Sequence, residues 1–494
     1  MSTVTINFDR IIGVRDTMIY GQFIEHFHRQ IYGGFFCPGS RLSNNKGFRI
    51  DVLNALRRIS PRIIRWPGGC FVSAYHWRDG VGERRTSFDK AWRVEDPNSF
   101  GTDEFVELCR EIGCEPYICT NAGTGAAEEM SDWVEYCNLP YEGWNAKQRI
   151  ANGFAKPHKV KFWSIGNENY LSGEIGTKTA EEWAVLVTES AKMMKRVDPS
   201  IELSAAALPN ANWNVKLLTH AGDYLDWISV HQYWDGVPLA NYEQTIAYTN
   251  NLDGSIKSIE GILAATGYSG KIRIAFDEWN LRGWYHPNSH GNTLPIDKKL
   301  YLTPRDENDK NSSYTMADTV FTACFLNTLL KNCETVRMAN FSPTVNTRGL
   351  IYAYPEGIVL RGPYHVFDLF INQMGETVVD LWNQATSKIQ VTNKAGNLVD
   401  VTQLDIVATR TKYDKAAISV VNKDPINTVD LNFKLYGMEA SLWSIHTING
   451  KSVDDYNDID QPDNISISVR EFSGEKNALS VQIPPHSVNV LTSL

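Results

Sequence analysis

An α/β fold carrying a second, all-β unit is what this sequence predicts, on three observations. Apolar runs of strand length alternate with amphipathic, helix-length stretches from about residue 21 to residue 343. Eight such runs fall within that span. After about Val366 the pattern changes to short alternating segments, such as Leu404-Asp-Ile-Val-Ala-Thr-Arg-Thr and Ile465-Ser-Ile-Ser-Val, separated by Asn, Asp, Gly and Pro. Eight βα units closed on themselves make a (β/α)8 TIM barrel. The expected architecture is therefore that barrel with an accessory all-β sandwich, jelly-roll-like in kind.

The expected barrel strands are residues 21–25, 63–66, 115–120, 161–166, 202–207, 227–231, 273–276 and 336–341. Between them, residues 179–195 read as a helix: Thr179 and Glu182 form a capping-box pattern, and Trp183, Leu186, Ser190 and Met194 line one face. Residues 103–112 read likewise, with Gly113 suited to the position just past the end. The opening Val4-Thr-Ile-Asn-Phe also alternates, so residues 1–15 are assigned to the sandwich, residues 16–365 to the barrel and residues 366–494 to the C-terminal sandwich. The polar stretch 282–313 is too long for a routine connection and is a candidate substrate-covering loop.

With 494 residues and 43% of them apolar, a large core is affordable. The net charge of −9 is spread along the chain, which argues against nucleic acid or an anionic membrane as partner. No apolar stretch approaches the roughly 20 residues a membrane span needs, and the first residues lack the charged and apolar regions of a secretory signal. The eight cysteines form no C-x-x-C pair and no disulfide scaffold, so they read as reduced and the protein as cytoplasmic. No cofactor or metal is called for. A neutral partner fits best, and 14 Trp and 21 Tyr supply faces on which sugars stack.

Two segments carry the chemistry: Trp163-Ser-Ile-Gly-Asn167-Glu168-Asn169 and Ile274-Ala-Phe-Asp-Glu278-Trp279-Asn280. Each ends an apolar run with an acid, which places both acids where barrel enzymes keep their active sites. Glycoside hydrolysis needs such a pair, one carboxyl protonated to donate to the leaving oxygen and one ionised to attack the anomeric carbon or activate water. Asn167 would hydrogen-bond a sugar hydroxyl, and Trp279 would offer its face to sugar C–H groups.

The order of motifs resembles glycoside hydrolase family 51, best known for α-L-arabinofuranosidases. The matching residues are Phe23-Ile-Glu25-His26 with Ile31-Tyr-Gly-Gly34, Arg65-Trp-Pro-Gly-Gly69 with Tyr75-His-Trp77, Gly101-Thr-Asp-Glu-Phe105, Gly166-Asn167-Glu168, His231-Gln-Tyr233 and Phe276-Asp-Glu278-Trp-Asn280. The resemblance implies a barrel joined to a β-sandwich, retention of anomeric configuration, Glu168 as acid/base and Glu278 as nucleophile. It also implies a glycan substrate, a homo-oligomer, hydrogen bonds from Glu25 and Asn167 to the sugar, and a Tyr233 that sets the nucleophile's position and charge. An alternative for Glu25 is an ion pair with Arg65 or Arg29, and His231, expected beside the sugar, has the alternative of a core histidine. Two positions depart from the family pattern. Cys70 stands where Asn usually follows Pro-Gly-Gly, and Pro343 falls in a run that usually carries Gln. With two amides removed from the expected pocket, a relative acting on β-glucan, xylan or a galactofuranoside is the alternative substrate reading.

Two other classes compete. His26-Phe-His28 matches the H-x-H pair of metal-dependent amidohydrolase barrels, but the remaining ligands of that class have no counterpart except His231. A non-catalytic sugar-binding protein is the other, against which stands the presence of both acids.

Overall fold

The computed structural model describes residues 2–283, 309–383 and 387–494. Most of the candidate covering loop, residues 284–308, lies outside them. The barrel strands, in order, are Gly21–Phe23, Ile63–Trp66, Glu115–Thr120, Phe162–Ile165, Glu202–Ala205, Trp227–Asp235, Arg273–Arg282 and Val336–Phe341. Successive strands pair in parallel, the eighth returns to the first, and a bridge between Ala206 and Ser229 joins the fifth to the sixth. The ring is thus nearly closed. Strands two and four are buried at every position, and strand eight at all but Arg337, because helices cover one side and the barrel interior fills the other.

Helices fill the returns for local reasons. The helix Ala180–Val197 begins where the Thr179 hydroxyl accepts from the Glu182 N–H at 3.3 Å while the Glu182 carboxylate accepts from the Thr179 N–H at 2.8 Å. Its Trp183, Ala184, Val187, Ala191 and Met194 are buried. The helix Thr102–Ile112 stops at Gly113, whose N–H bonds to the Cys109 carbonyl.

Inside the barrel, Ile63, Tyr117, Phe162, Trp227, Ala275 and Met338, from the N-terminal halves of their strands, pack into an apolar plug with Met18 of the turn before the first strand. Polar residues lie above it, nearer the C-terminal ends, where Arg65 and Asp277 are fully buried.

The second unit is a nine-stranded sheet in the order Ser466–Ser473, Leu442–Asn449, Ser487–Ser493, Ala416–Asn422, Leu404–Arg410, Thr377–Asn383, Ser2–Val14, Val429–Tyr436 and Ala478–Ile483. Val429, Leu431, Phe433 and Leu435 alternate inward along one strand, and they share a core with Val4, Ile6, Phe8, Ile418, Trp443 and Leu491. Ser2–Val14 runs parallel to Val429–Tyr436 and antiparallel to Thr377–Asn383. A helix, Gly362–Gln373, runs through the point near Val366 where the sequence pattern changes, so that the first strand after it begins at Thr377. The two units meet where Lys331 and Asn327 of the helix Met316–Lys331 bond to Asp405 at 2.7 and 3.0 Å.

Because Ile6 is fully buried in the sheet core, Ile6→Ala is expected to cost about 2–5 kcal/mol of stability. A lowered urea midpoint, with the activity of the folded protein unchanged, is the measurable result.

Candidate active site

The seventh strand carries one residue more than its neighbour allows. Ala275 pairs with Ser229 and Glu278 pairs with His231, so three steps on one strand face two on the other. That bulge turns two consecutive acids, Asp277 and Glu278, into the barrel. The Asp277 carboxylate accepts from the Tyr117 hydroxyl at 2.7 Å and from Ser229 Oγ at 2.6 Å. Glu278 accepts from Arg65 Nη1 at 2.8 Å on Oε2 and from the Tyr233 hydroxyl at 2.7 Å on Oε1. Trp279 then points outward. It is fully buried behind the sheet against Phe325, Phe341 and Phe367, with ring centroids 4.5, 5.1 and 6.2 Å away. The expected sugar-facing role of Trp279 is corrected accordingly: its ring belongs to the strand-helix core, because the bulge reverses the alternation.

Glu168 is placed by a left-handed turn just past the fourth strand, with φ +68° at Gly166 and +47° at Glu168 itself. A side chain at Gly166 would put its Cβ 2.2 Å from Asn169 Oδ1 and 2.5 Å from the Trp183 ring, so only glycine fits there. Glu168 Oε1 lies 3.0 Å from His231 Nδ1, which is also 3.6 Å from Glu278 Oε2. One carboxylate oxygen each from Glu168 and Glu278, with a His231 nitrogen, all lie within 4.8 Å of one another. Gly69 lets the backbone approach the same spot, since a Cβ there would be 3.2 Å from Glu278 Oε2.

Arg65 binds these parts together. Its Nη2 donates to Asn167 Oδ1 at 2.8 Å, and its Nε is 3.6 Å from Asp277. Burial opposes its charge, yet Asp277 and Glu278, with the Cys119 thiol beside it, hold it firmly protonated. Burial also opposes ionisation of Asp277, but His231, Arg65 and Ser229 keep its carboxyl below the usual range. His231, which burial alone would neutralise, is raised to about 10 by Glu278, Asp277 and Glu168.

Glu25 does not pair with Arg65 or Arg29. Its Oε1 accepts from the Phe71 N–H at 2.9 Å and Trp92 Nε1 at 3.1 Å, while Oε2 has no hydrogen-bond partner among the described residues. Burial and the charge of Glu278 push it well above the ordinary carboxyl range. Asn167 Nδ2 is likewise buried without a protein partner among the described residues. Cys70 sits against Glu168 and Glu174, its thiol held protonated by burial and those acids. Ser342 Oγ lies 3.0 Å from the Tyr233 hydroxyl and, with the phenolic proton given to Glu278, donates to it. The nearby amides of Asn121 and Asn340 are taken by the Tyr75 and Gln22 carbonyls.

Sequence reasoning gave no role to Asp277 or Glu174. Asp277 was hidden because alternation assigns neighbouring residues to opposite faces. Glu174 is a lone acid in a loop, with no pattern to mark it. His26 bonds Asp96 Oδ2 at 2.9 Å and stacks on Phe71 at 4.5 Å, so it faces an aromatic cluster rather than a metal centre. The donor sets that could surround a cation among the described residues are Cys70, Glu168 and Glu174, and Glu168, His231 and Glu278. Their chemistry fits poorly: an imidazolium at His231 has no free ring lone pair, and Cys70 is held as the neutral thiol, a far weaker ligand than a thiolate.

Family profiles for the alpha-L-arabinofuranosidase 1 domain and C-terminal domain match residues 55–251 and 277–487. An intracellular exo-alpha-(1->5)-L-arabinofuranosidase of Halalkalibacterium halodurans is 36% identical over 360 residues, 70% of each chain. Intracellular exo-alpha-(1->5)-L-arabinofuranosidase 1 of Bacillus subtilis is 30% identical over 97% of this chain and 96% of its own. The crystal structure of the alpha-L-arabinofuranosidase from Thermotoga maritima, an arabinose complex, superposes with a TM-score of 0.88 at 33% identity, covering all of both chains.

Since the His231 proton is held more tightly in the fold than in the unfolded chain, its stabilisation is complete below about pH 6.5 and lost as pH rises through about 10. The stability gap between the wild type and His231→Gln is therefore expected to narrow across that window in urea titrations. A constant gap would show that His231 is neutral.

Proposed function

Because this chain belongs to the α-L-arabinofuranosidases of glycoside hydrolase family 51, we propose that it removes terminal α-L-arabinofuranosyl residues from arabinose-containing plant oligosaccharides or polysaccharides with retention of configuration. The observation that carries this reading is the carboxyl pair, with oxygens of Glu168 and Glu278 inside 4.8 Å. Retaining enzymes hold the two groups roughly 5–5.5 Å apart, whereas inverting ones leave about 6.5–9.5 Å for a water.

In this mechanism Glu278 attacks the anomeric carbon while Glu168 donates its proton to the departing oxygen. A water then gives its proton to Glu168 and displaces Glu278, restoring the starting configuration. Arg65 and Tyr233 each donate to one oxygen of Glu278, which fixes its direction toward the anomeric carbon. His231 Nε2, 3.4 Å from Asp277, faces that carboxylate, leaving Nδ1 toward Glu168. Glu25 and Asn167, with unpartnered buried atoms, receive the sugar hydroxyls, and Cys70 lines the same pocket.

The intracellular names of the two relatives support a cytoplasmic location, and no described helix is long and apolar enough to cross a membrane. Assembly as a homo-oligomer is carried from the family resemblance.

Aryl arabinofuranosides, xylosides, glucosides and galactofuranosides, tested with Glu278→Ala as control, decide the glycone. Activity confined to arabinofuranosides is expected, with NMR showing retained configuration in the first-formed product. A different preferred sugar would mean that Cys70 and Pro343 have changed the pocket, and an inverted product would overturn the covalent route. Glu168→Ala is expected to slow substrates with poor leaving groups by on the order of 10²–10⁴ and activated aryl glycosides far less. Equal losses on both would remove Glu168 from the acid role.

A further inference from the structure

Glu174 lies in the loop beyond Glu168, and the mechanism above does not use it. It is only 8% exposed. Cys70 Sγ and one carboxylate oxygen each of Glu168 and Glu174 are all within 4.8 Å of one another. Ser73 Oγ donates to Glu174 Oε1 at 2.5 Å, and the Cys70 thiol stands beside the same carboxyl. Among the described residues no Lys, Arg or His makes an ion pair with Glu174. Lys178, in the same loop, instead donates to the Gly176 carbonyl at 2.7 Å. Across the pocket stand Glu278 and Glu25, with Arg65 committed to Glu278 and Asn167, and His231 to Glu168 and Asp277. Glu174 is thus a buried carboxyl served by the Ser73 hydroxyl, with a neutral thiol beside it, and set next to a second carboxyl.

We propose that Glu174 is a positioning residue for the acid/base: by ionising next to Glu168 it sets the upper pH limit at which Glu168 still carries the proton it donates. The inference rests on the acid/base reading of Glu168. Carboxyls this close do not titrate independently, because the first charge disfavours the second. Burial pushes Glu174 up to about 7, with Cys70 and Ser73 pulling against it and the negative charges of Glu168 and Glu278 adding to it. The coupling is reciprocal: an anionic Glu174 makes loss of a proton from Glu168 costlier, so the pair keeps one proton further into the alkaline range than a lone carboxyl would.

The test is the pH profile of kcat/KM for Glu174→Gln, which keeps the shape of the side chain and removes its charge. For an arabino-oligosaccharide, whose leaving group needs a proton, the alkaline limb is expected to move to lower pH by roughly one unit, with activity at acidic pH within a few fold of wild type. An activated aryl arabinofuranoside, needing no proton, should keep its alkaline limb. Glu174→Asp retains the charge and should restore much of the wild-type limb, and Ser73→Ala serves should Glu174→Gln fold poorly. Removing that donor delays ionisation of Glu174, so the limb moves the same way by a smaller step. A limb that coincides with the wild type's in Glu174→Gln, or a loss of rate by one factor at every pH, overturns the proposal. Failure of the Glu168 reading is separable, since it would show as a Glu168→Ala enzyme that does not distinguish the two substrates.

Discussion

A fully buried guanidinium governs this barrel. Arg65 has no exposed surface, and the apolar plug of Met18, Ile63, Tyr117, Phe162, Trp227, Ala275 and Met338 lies beneath its layer. A charge in such a place is tolerable only if its donors are satisfied by acids and acceptors at hydrogen-bond distance. Glu278 and Asn167 accept from its two terminal nitrogens, and the Asp277 carboxylate, 3.6 Å from Nε, balances the charge without a hydrogen bond. The converse also holds, because two adjacent buried acids need a cation. The bulge that brings Asp277 inside and the arginine that receives it are therefore one device, and the orientation of Glu278 follows from it.

His231 extends the same network to the other acid. It lies between Glu168, Glu278 and Asp277, and all three favour its charge against the cost of burial. Asp277 is remote from the reacting carbon, and its contribution is to fix which ring nitrogen turns toward Glu168. Removing either the aspartate or the arginine would leave the remaining charges unbalanced, so substitution of these residues would disturb folding and chemistry together.

Much of the barrel is legible in the sequence because strands buried on both faces read as mainly apolar runs with few interruptions. The second, third and eighth are of this kind, at Ile63–Trp66, Glu115–Thr120 and Val336–Phe341. The sixth and seventh are longer than they read, extending through Asp235 and Arg282, because His231, Tyr233, Asp277 and Asn280 occupy ladder positions that apolar residues would otherwise fill. Glu168 and Glu278 stand out as acids that end apolar runs. The facing of Trp279 and the interior place of Asp277 are invisible without the bulge, which no local composition announces. Cys70 and Glu174 meet only through tertiary packing, and a lone loop acid resembles every solvated one.

The strand Ser2–Val14 lies inside the nine-stranded sheet, flanked by Thr377–Asn383 and Val429–Tyr436. During synthesis this strand leaves the ribosome before the barrel yet is among the last to find its neighbours, since both flanking strands are translated after the whole barrel. Until then it is an alternating apolar strand with both hydrogen-bonding edges open, the form most prone to pair with a wrong chain. Nascent-chain protection, in the form of a holding chaperone or rapid docking on the barrel, matters for this protein more than barrel folding itself would require.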